Sequence, residues 1–458
     1  MIVHSSAKAR RVVCLGAAWA ALLAAPLPAA GAGVPVPPGG RPATGAVAPP
    51  VEELVARALA NAPSLSARRA RLAAAEAAVP AADVLPDPMV EFEFRDGGFP
   101  RVTIGSDPMS MLGATIRQPL LTRGRKTSRR AAAGAEVDVR HAETDATACD
   151  LTMAVRTAYS RLYAVDRERA ILGDAEQMAR LLTETAMARY ASGGSDQTTV
   201  LRAQLELTRL AERAADLDAE RVAIVVTLNR LLNQPSETPL GEVLELSEPP
   251  ALSGALSGMP DVAASRAPEV SVRRADVAAA GRRVEMAREE LRPSLTVGGS
   301  LFWQGGVDRV VSVTLGVEWP WRKDRKQRPL IAASERELEA ARFELEDASA
   351  GMRAEAARLV ADIRRAEDQI RRYRSGLLPQ SSAALDAARS SYLAGRGDFA
   401  SVLDEFRRWT EIRVELVRRE ASRFAARGQL DVLVNPAEHG TWSHTAGRDG
   451  KPPKEPRS

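Results

Sequence analysis

The second half of this chain repeats the first. Asn61 to Pro88 aligns without a gap on Arg266 to Pro293, and 12 of the 28 positions are identical. The matches include Ala62-Pro63 with Ala267-Pro268 and Arg68-Arg69-Ala70 with Arg273-Arg274-Ala275. The elements keep the same order in both halves: helix, two short strands, a proline with a basic cluster, one long helix, a glycine-containing turn and another long helix. Pro119 leads into Arg123-Gly124-Arg125-Lys126, and Pro320 into Arg322-Lys323-Asp324-Arg325-Lys326. The turns agree as well, Tyr190-Ala191-Ser192-Gly193 through Asp196 mirroring Tyr392-Leu393-Ala394-Gly395 through Asp398. An internal repeat of roughly 200 residues therefore governs the fold.

The long helices carry heptads. Met352, Ala356, Leu359, Ile363, Ala366, Ile370, Tyr373 and Leu377 alternate spacings of four and three. Leu151, Val155, Ala158, Leu162 and Val165 do the same in the first copy, with Leu172 one heptad later. Val200, Ala203, Leu207, Leu210, Ala214 and Leu217, then Ile224 and Leu228, continue the pattern on the partner helix. Strict heptads mean knobs-into-holes packing between long helices. A helix from Ser128 to Tyr190 spans roughly 95 Å at 1.5 Å per residue. A compact globule has no use for that length, and alanine at many seam positions lets each helix touch two neighbours.

The strand pairs have a period of two. Leu295, Val297, Gly299, Leu301 and Trp303 alternate with Thr296, Gly298, Ser300 and Phe302. After Gly305-Gly306-Val307-Asp308, Val311, Val313, Leu315, Val317 and Trp319 alternate with Ser312, Thr314, Gly316 and Glu318. In the first copy Val90, Phe92 and Phe94 alternate with Glu91, Glu93 and Arg95, and Leu112, Ala114 and Ile116 with Gly113, Thr115 and Arg117. Runs of about nine to eleven residues suit tilted membrane-crossing strands with lipid on one face and a wet lumen on the other. Trp303, Trp319 and Trp321 fall near strand ends, where interfacial aromatics sit. Four strands cannot close a barrel, and an open edge cannot sit in lipid, so other subunits must complete it. An ordinary pair of hairpins on a soluble core is the competing reading.

The rest of the chain fits an exported protein without chemistry of its own. Lys8, Arg10 and Arg11 precede the apolar stretch Val12 to Leu27, and Ala30-Gly31-Ala32 gives a cleavage site. We expect a signal peptide over 1–32, a disordered lead-in over 33–50, repeat one over 51–235 with strands in 89–119, an inter-repeat segment over 236–262, repeat two over 263–434 with strands in 294–319, and a disordered tail over 435–458. Cys14 lies in the leader, which leaves Cys149 alone and no intrachain disulfide. Formal net charge is only +4, with arginines interleaved with acids along the helices, which argues against nucleic acid. No phosphate-binding loop, nucleophile elbow or zincin motif occurs, and the four histidines have no zinc-ligand spacing, so neither a cofactor, a metal nor an enzyme activity is expected.

With these elements in place, from about Val51 to Asn435, the chain resembles the TolC family of outer-membrane efflux proteins. The residues that carry the resemblance are the duplicated helix–hairpin–helix units, the Tyr-x-x-Gly turns and Leu85-Pro86-Asp87-Pro88 before the first strand. Asp107-Pro108-Met109-Ser110-Met111-Leu112 looks most like members that serve heavy-metal pumps. The resemblance implies a mainly α fold with β: a homotrimer with a twelve-stranded β-barrel, four strands per chain, in outer-membrane lipid, and a long α-helical barrel in the periplasm. It implies a passive exit duct served by a periplasmic adaptor (membrane fusion protein) and an inner-membrane pump of the RND type. Members of the metal branch are often lipid-anchored at a mature N-terminal cysteine, which this sequence lacks. A periplasmic coiled-coil adaptor or scaffold without a pore, and the outer-membrane duct of a type I secretion system, are the alternatives.

The family's working end is the periplasmic tip formed by the two turns. The resemblance assigns tip and gate roles to Tyr190, Gly193, Asp196, Tyr392, Gly395, Arg396, Asp398 and Asp404. Gly193, Gly194, Gly395 and Gly397 are expected to permit the reversals. Tyr392 matches the tip tyrosine, Gly395 the turn glycine and Asp404 a pore-facing aspartate, while a second aspartate position is Ser401 here. A ring of carboxylates in a narrow lumen favours cations; a solvated helix carboxylate is the plainer role for Asp404. The basic clusters after Pro119 and Pro320 fit either lipid headgroups at the rim or a solvated helix start. Met109 and Met111 fit packing better than copper ligation, and Cys149 fits a small buried residue.

Overall fold

The computed structural model describes residues 47–95, 110–247, 252, 255–303 and 309–440. The expected leader, the lead-in up to 46, Met109, the turn 305–308 and the tail beyond 440 lie outside the described residues.

Each half opens on a helix pair broken by proline: α1 (Val51–Asn61) and α2 (Pro63–Ala78), then α5 (Met259–Arg266) and α6 (Pro268–Glu289). Proline forces the preceding residue out of the helical region and is itself tolerated in a first turn. Accordingly Ala62 (ψ 123°) and Ala267 (ψ 146°) are extended and buried, and Pro63 and Pro268 start the second helices.

The first hairpin pairs α3 (Arg123–Ala191) with α4 (Gln197–Leu231). Thr122 caps α3, its hydroxyl accepting from the Arg125 amide at 3.4 Å. The 69 residues of α3 run about 100 Å at 1.5 Å per residue. Leu151, Val155, Ala158, Leu162, Val165 and Leu172 are all buried, as their heptad requires, against Ala203, Leu210, Leu217, Ile224 and Leu228 of α4. A fully buried leucine such as Leu162 or Leu228 contributes about 1.5–3 kcal/mol by leaving water.

The second hairpin departs from expectation. It is not two uninterrupted helices: α7 (Gln327–Arg372) gives way to a π-turn over Tyr373–Leu377 before α8 (Leu378–Leu393), and α9 (Phe399–Val434) returns. The cause is Pro379, which lacks the N–H that an α-helix would direct at Ser375 and whose ring crowds that carbonyl. A π-turn inserts one residue into the helical count. The seam therefore shifts by one: Leu377 is 40% exposed, while Ser381, Leu385 and Tyr392 are buried on a restarted heptad. At the equivalent place in the first copy α3 runs through unbroken.

Strands β1 (Met89–Arg95), β2 (Met111–Leu120), β3 (Ser294–Trp303) and β4 (Val310–Glu318) form one antiparallel sheet in the order β1-β2-β3-β4. Seven residues of β1 are described, shorter than the run expected. The two repeats join at the β2–β3 ladder, where Leu112 pairs with Trp303 and Leu120 with Leu295. Register sets one apolar face across all four strands: Phe92 opposite Ala114, Ala114 opposite Leu301, Leu301 opposite Val311. That face is bare, with Phe92 82%, Val313 81% and Leu315 68% exposed. The other face is polar and small; the Thr115 hydroxyl donates to Ser300 Oγ at 2.9 Å and Arg117 pairs with Glu91 at 3.2 Å. Phe302 is the exception there. It lies buried over Gly113, where a Cβ would overlap its ring, with the Arg95 guanidinium 4.8 Å from the ring centroid. Among the described residues no helix is long and apolar enough to cross a membrane.

Two expectations of disorder fail at their inner edges. Val47 bridges Glu242, and Ala48 is buried. Residues beyond Asn435 turn into a short helix, α10 (Pro436–Gly440), packed on α3 and α9. It is held because His439 Nε2 lies 2.8 Å from buried Asp431, whose other partners are Arg156 at 3.1 Å and Asn435 at 3.0 Å. Cys149 is fully buried beside α10, and burial together with Asp145 and Asp150 pushes its thiol up to about 12.

Candidate functional site

Both hairpins reverse by the same device. Gly193 (φ 75°) and Gly395 (φ 71°) occupy the left-handed region that closes a helix. The next amides reach back to the last turn, Gly194 to the Arg189 carbonyl at 2.8 Å and Arg396 to that of Ser391 at 3.0 Å. The other two glycines expected to share this role do not take positive φ. Gly397 is needed for close approach instead, since a Cβ there would lie 3.1 Å from that of Ser391. Asp196 and Asp398 occupy the N-cap positions of the returning helices. Only Asp398 caps through its side chain, accepting from the Ser401 amide at 3.0 Å, and its bonds to Ser401 hold its carboxyl below the ordinary value.

The two tyrosines, equivalent by repeat, have different surroundings. Tyr190 is 50% exposed; Tyr392 is buried against Phe399, ring centroids 5.5 Å apart and edge-on. Arg189 reaches from the first tip to the second, its guanidinium 4.4 Å from the Tyr392 ring centroid and Nη2 donating to the Leu393 carbonyl at 2.8 Å. The Tyr392 hydroxyl is buried with no hydrogen-bond partner among the described residues. Arg396 projects into solvent.

Asp404 is 68% exposed on the first turns of α9, with Arg407 at 3.8 Å. Arg407 chiefly serves Glu206 of α4, donating from Nε at 2.8 Å and Nη2 at 2.6 Å, and this bond raises its pKa. Glu206 is nearly buried, at 8%. Further up the hairpins the same stitching recurs: Glu168 of α3 takes Arg213 of α4 at 2.7 Å and Arg418 of α9 at 2.9 Å. Asp166 takes Arg221 at 2.6 Å and the Val243 amide at 2.9 Å, which fixes the inter-repeat segment.

Of the residues assigned from sequence, Tyr392 and Gly395 lie at the junction of the tips, while Tyr190, Gly193, Asp196, Arg396, Asp398 and Asp404 surround it. Arg189, Phe399, Glu206 and Arg407, which join the two hairpins, were not foreseen. A signal for Glu206 was present: counted from Ala203 by threes and fours, the seam of α4 runs through 206, 210, 213 and 217, and a lone carboxylate there asks for a partner. Met111 lies at the start of β2 opposite Arg95. One cluster has donor types suited to a metal, Asp431, Glu438 and His439. Both Asp431 oxygens are already engaged by Arg156, Asn435 and His439, so it acts as an ion-paired clasp.

Two antiparallel hairpins joined at their tips, with a four-stranded sheet bare on its apolar face, can now be set beside known proteins. The sequence matches the family described as outer membrane efflux protein over residues 54–234 and 259–435. The chain belongs to that family. Each matched segment covers one repeat, and no curated protein matches the sequence. Among solved structures, the fold is similar to the outer-membrane channel OprN, with 20% identity over 86% of this chain and 90% of that one and a TM-score of 0.71. The outer membrane protein VceC of Vibrio cholerae gives 16% identity, 84% and 95% coverage and a TM-score of 0.71. The MtrE outer membrane channel of Neisseria gonorrhoeae, in its open state, gives 17%, 85% and 89%, and 0.66. As a member of an outer-membrane efflux family, the chain is an efflux duct of the outer membrane, and the family is one of passive channels rather than enzymes.

Proposed function

We propose that three copies of the chain close one pore, and that the joined hairpin tips are its gate. The observation that carries this is the sheet. Its apolar face is exposed across four strands, and among the described residues β1 and β4 pair with no further strand. Each unpaired backbone group costs several kcal/mol in hydrocarbon, so the edges must meet other chains. Three copies supply twelve strands, with the polar face of Thr115, Ser300 and Arg117 turned to a wet lumen.

The periplasmic end is then a bundle of three tip pairs. Arg189 on Tyr392 and Arg407 on Glu206 hold the second hairpin against the first within each chain; opening requires the two to part. Asp404, exposed beside Arg407, would form a three-fold carboxylate ring at the mouth and favour cations. Tyr190, Gly193, Asp196, Gly395, Arg396 and Asp398 make the surface offered to a periplasmic adaptor, with an inner-membrane pump of the RND type supplying substrate and energy. Metal cations are one substrate class that such a ring would pass.

Separation of envelope membranes tests the assignment. The protein should sediment with outer-membrane fragments and leave them only in detergent. Release into the aqueous phase by salt or osmotic shock would contradict it.

A further inference from the structure

The basic cluster after each second strand was expected to be equivalent in the two repeats, and it is not. In the first copy Arg125 is only 11% exposed. Its guanidinium donates to the Arg292 carbonyl at 2.8 Å and the Glu289 carbonyl at 3.4 Å and pairs with Glu290, so it seals the C-terminus of α6. Gly124 is packed so closely there that a Cβ would overlap Glu289. That cluster is spent on holding helices together.

The second copy has the same charges and no such task. Pro320 to Lys326 form a compact turn, with Lys323 bonding back to the Pro320 carbonyl at 3.2 Å and Lys326 to that of Arg322 at 3.0 Å. Arg322, Lys323, Arg325 and Lys326 are all exposed and make no ion pair among the described residues; Asp324 is taken by Arg328 at 2.6 Å. Directly before them stand Trp319 and Trp321, 57% and 86% exposed.

Residue choice adds a second signal. Between residues 47 and 440 lysine occurs only at 126, 323 and 326, while arginine supplies every other basic group except histidine. Arginine is the better partner for a fixed carboxylate; lysine is a point charge on a flexible stem that can follow a mobile anion. The whole chain has a formal net charge of +4, and residues 322–326 alone carry four cations against one anion. The position is set as well. The bare face of β4 runs from Val311 to Trp319, about 27 Å along the strand and about 20 Å when tilted by ~40°, close to the apolar band of an outer membrane. The turn thus begins where hydrocarbon ends, on the side from which α7 departs.

We propose that Trp319, Trp321 and the four cations of residues 322–326 form a docking site for the headgroups of anionic phospholipids such as phosphatidylglycerol. This rests on the outer-membrane reading above. Tryptophan holds the interface while the cations gather phosphate, each worth about 1 kcal/mol near an anionic surface, a roughly fivefold preference per charge.

The test uses the full-length protein reconstituted into phosphatidylcholine vesicles containing phosphatidylglycerol, with bromine on the acyl chains of one lipid or the other. Quenching attributable to Trp321 is taken as the difference from Trp321→Phe. At equal mole fraction, brominated phosphatidylglycerol should quench about threefold or more as strongly as brominated phosphatidylcholine. The preference should vanish in R322Q/K323Q/R325Q/K326Q and collapse for the unaltered protein in about 0.5 M salt. Equal quenching by the two lipids, or a preference indifferent to both salt and the four substitutions, would overturn the site. No quenching by either lipid, with the protein left outside the vesicles, would overturn the outer-membrane reading and the site with it.

Discussion

Replacing Glu206 with glutamine should loosen the joined tips, and the structure indicates by how much. Glu206 is 8% exposed and accepts two bonds from Arg407 on one oxygen, at 2.8 and 2.6 Å. Two unit charges about 4 Å apart attract by about 4 kcal/mol at an effective dielectric near 20. Desolvation of the buried carboxylate offsets part of this, and Arg407, at 38% exposed, is screened by solvent. A net coupling of about 1–2 kcal/mol remains. If it acts only while the hairpins are together, the open-to-closed ratio should rise about 5- to 30-fold. Single-channel recording of the unaltered protein, Glu206→Gln, Arg407→Gln and the double variant gives both the shift and the coupling. Open probabilities within about twofold of the original for both single variants, or effects that simply add, would remove this pair from the gate.

Three other outcomes rest on particular contacts. Gly113→Ala drives a Cβ into the Phe302 ring and should cost about 1–3 kcal/mol of barrel stability, read as a lower melting temperature in detergent; Gly113→Ala with Phe302→Ala should recover part of it. Burial alone would raise Asp431, but bonds from His439, Asn435 and Arg156 outweigh it and hold the carboxyl below its ordinary value. Its stabilisation is then complete above about pH 4 and lost as pH falls through the native pKa, so melting temperature should drop on acidification in that range, more steeply than in Asp431→Asn. Removing Gly376 together with Pro379→Ala takes out the extra residue and the missing donor. Amide exchange over 373–378 should then slow towards that of 171–176 in α3, and exchange left unchanged would refute the proline account of the π-turn.

The fold was legible wherever a period repeats. Leu151 to Leu172 and Ala356 to Ile370 lie in the buried seams that their heptads indicate, and the strand alternation gave the correct bare face from Val90 to Val317. What escaped were events of one residue. Pro379 lies inside an otherwise unbroken heptad, and the π-turn that accommodates it moves Leu377 out of the seam. At the tips, the paired turns and their left-handed glycines could be read from repetition. Arg189 on Tyr392 could not, because the repeat places Ser391 where the second copy would need the same arginine. Likewise the two basic clusters look alike in sequence, and only the nearness of α6 shows that Arg125 is engaged while Arg322 to Lys326 are free of ion pairs among the described residues, Asp324 aside.

The central claim is that three copies close a pore. Planar-bilayer conductance of the detergent-purified protein, with its mass in detergent measured on the same sample, tests it most directly. A trimer giving small, cation-selective openings is the expected result. A monomer soluble without detergent and silent in the bilayer would contradict it.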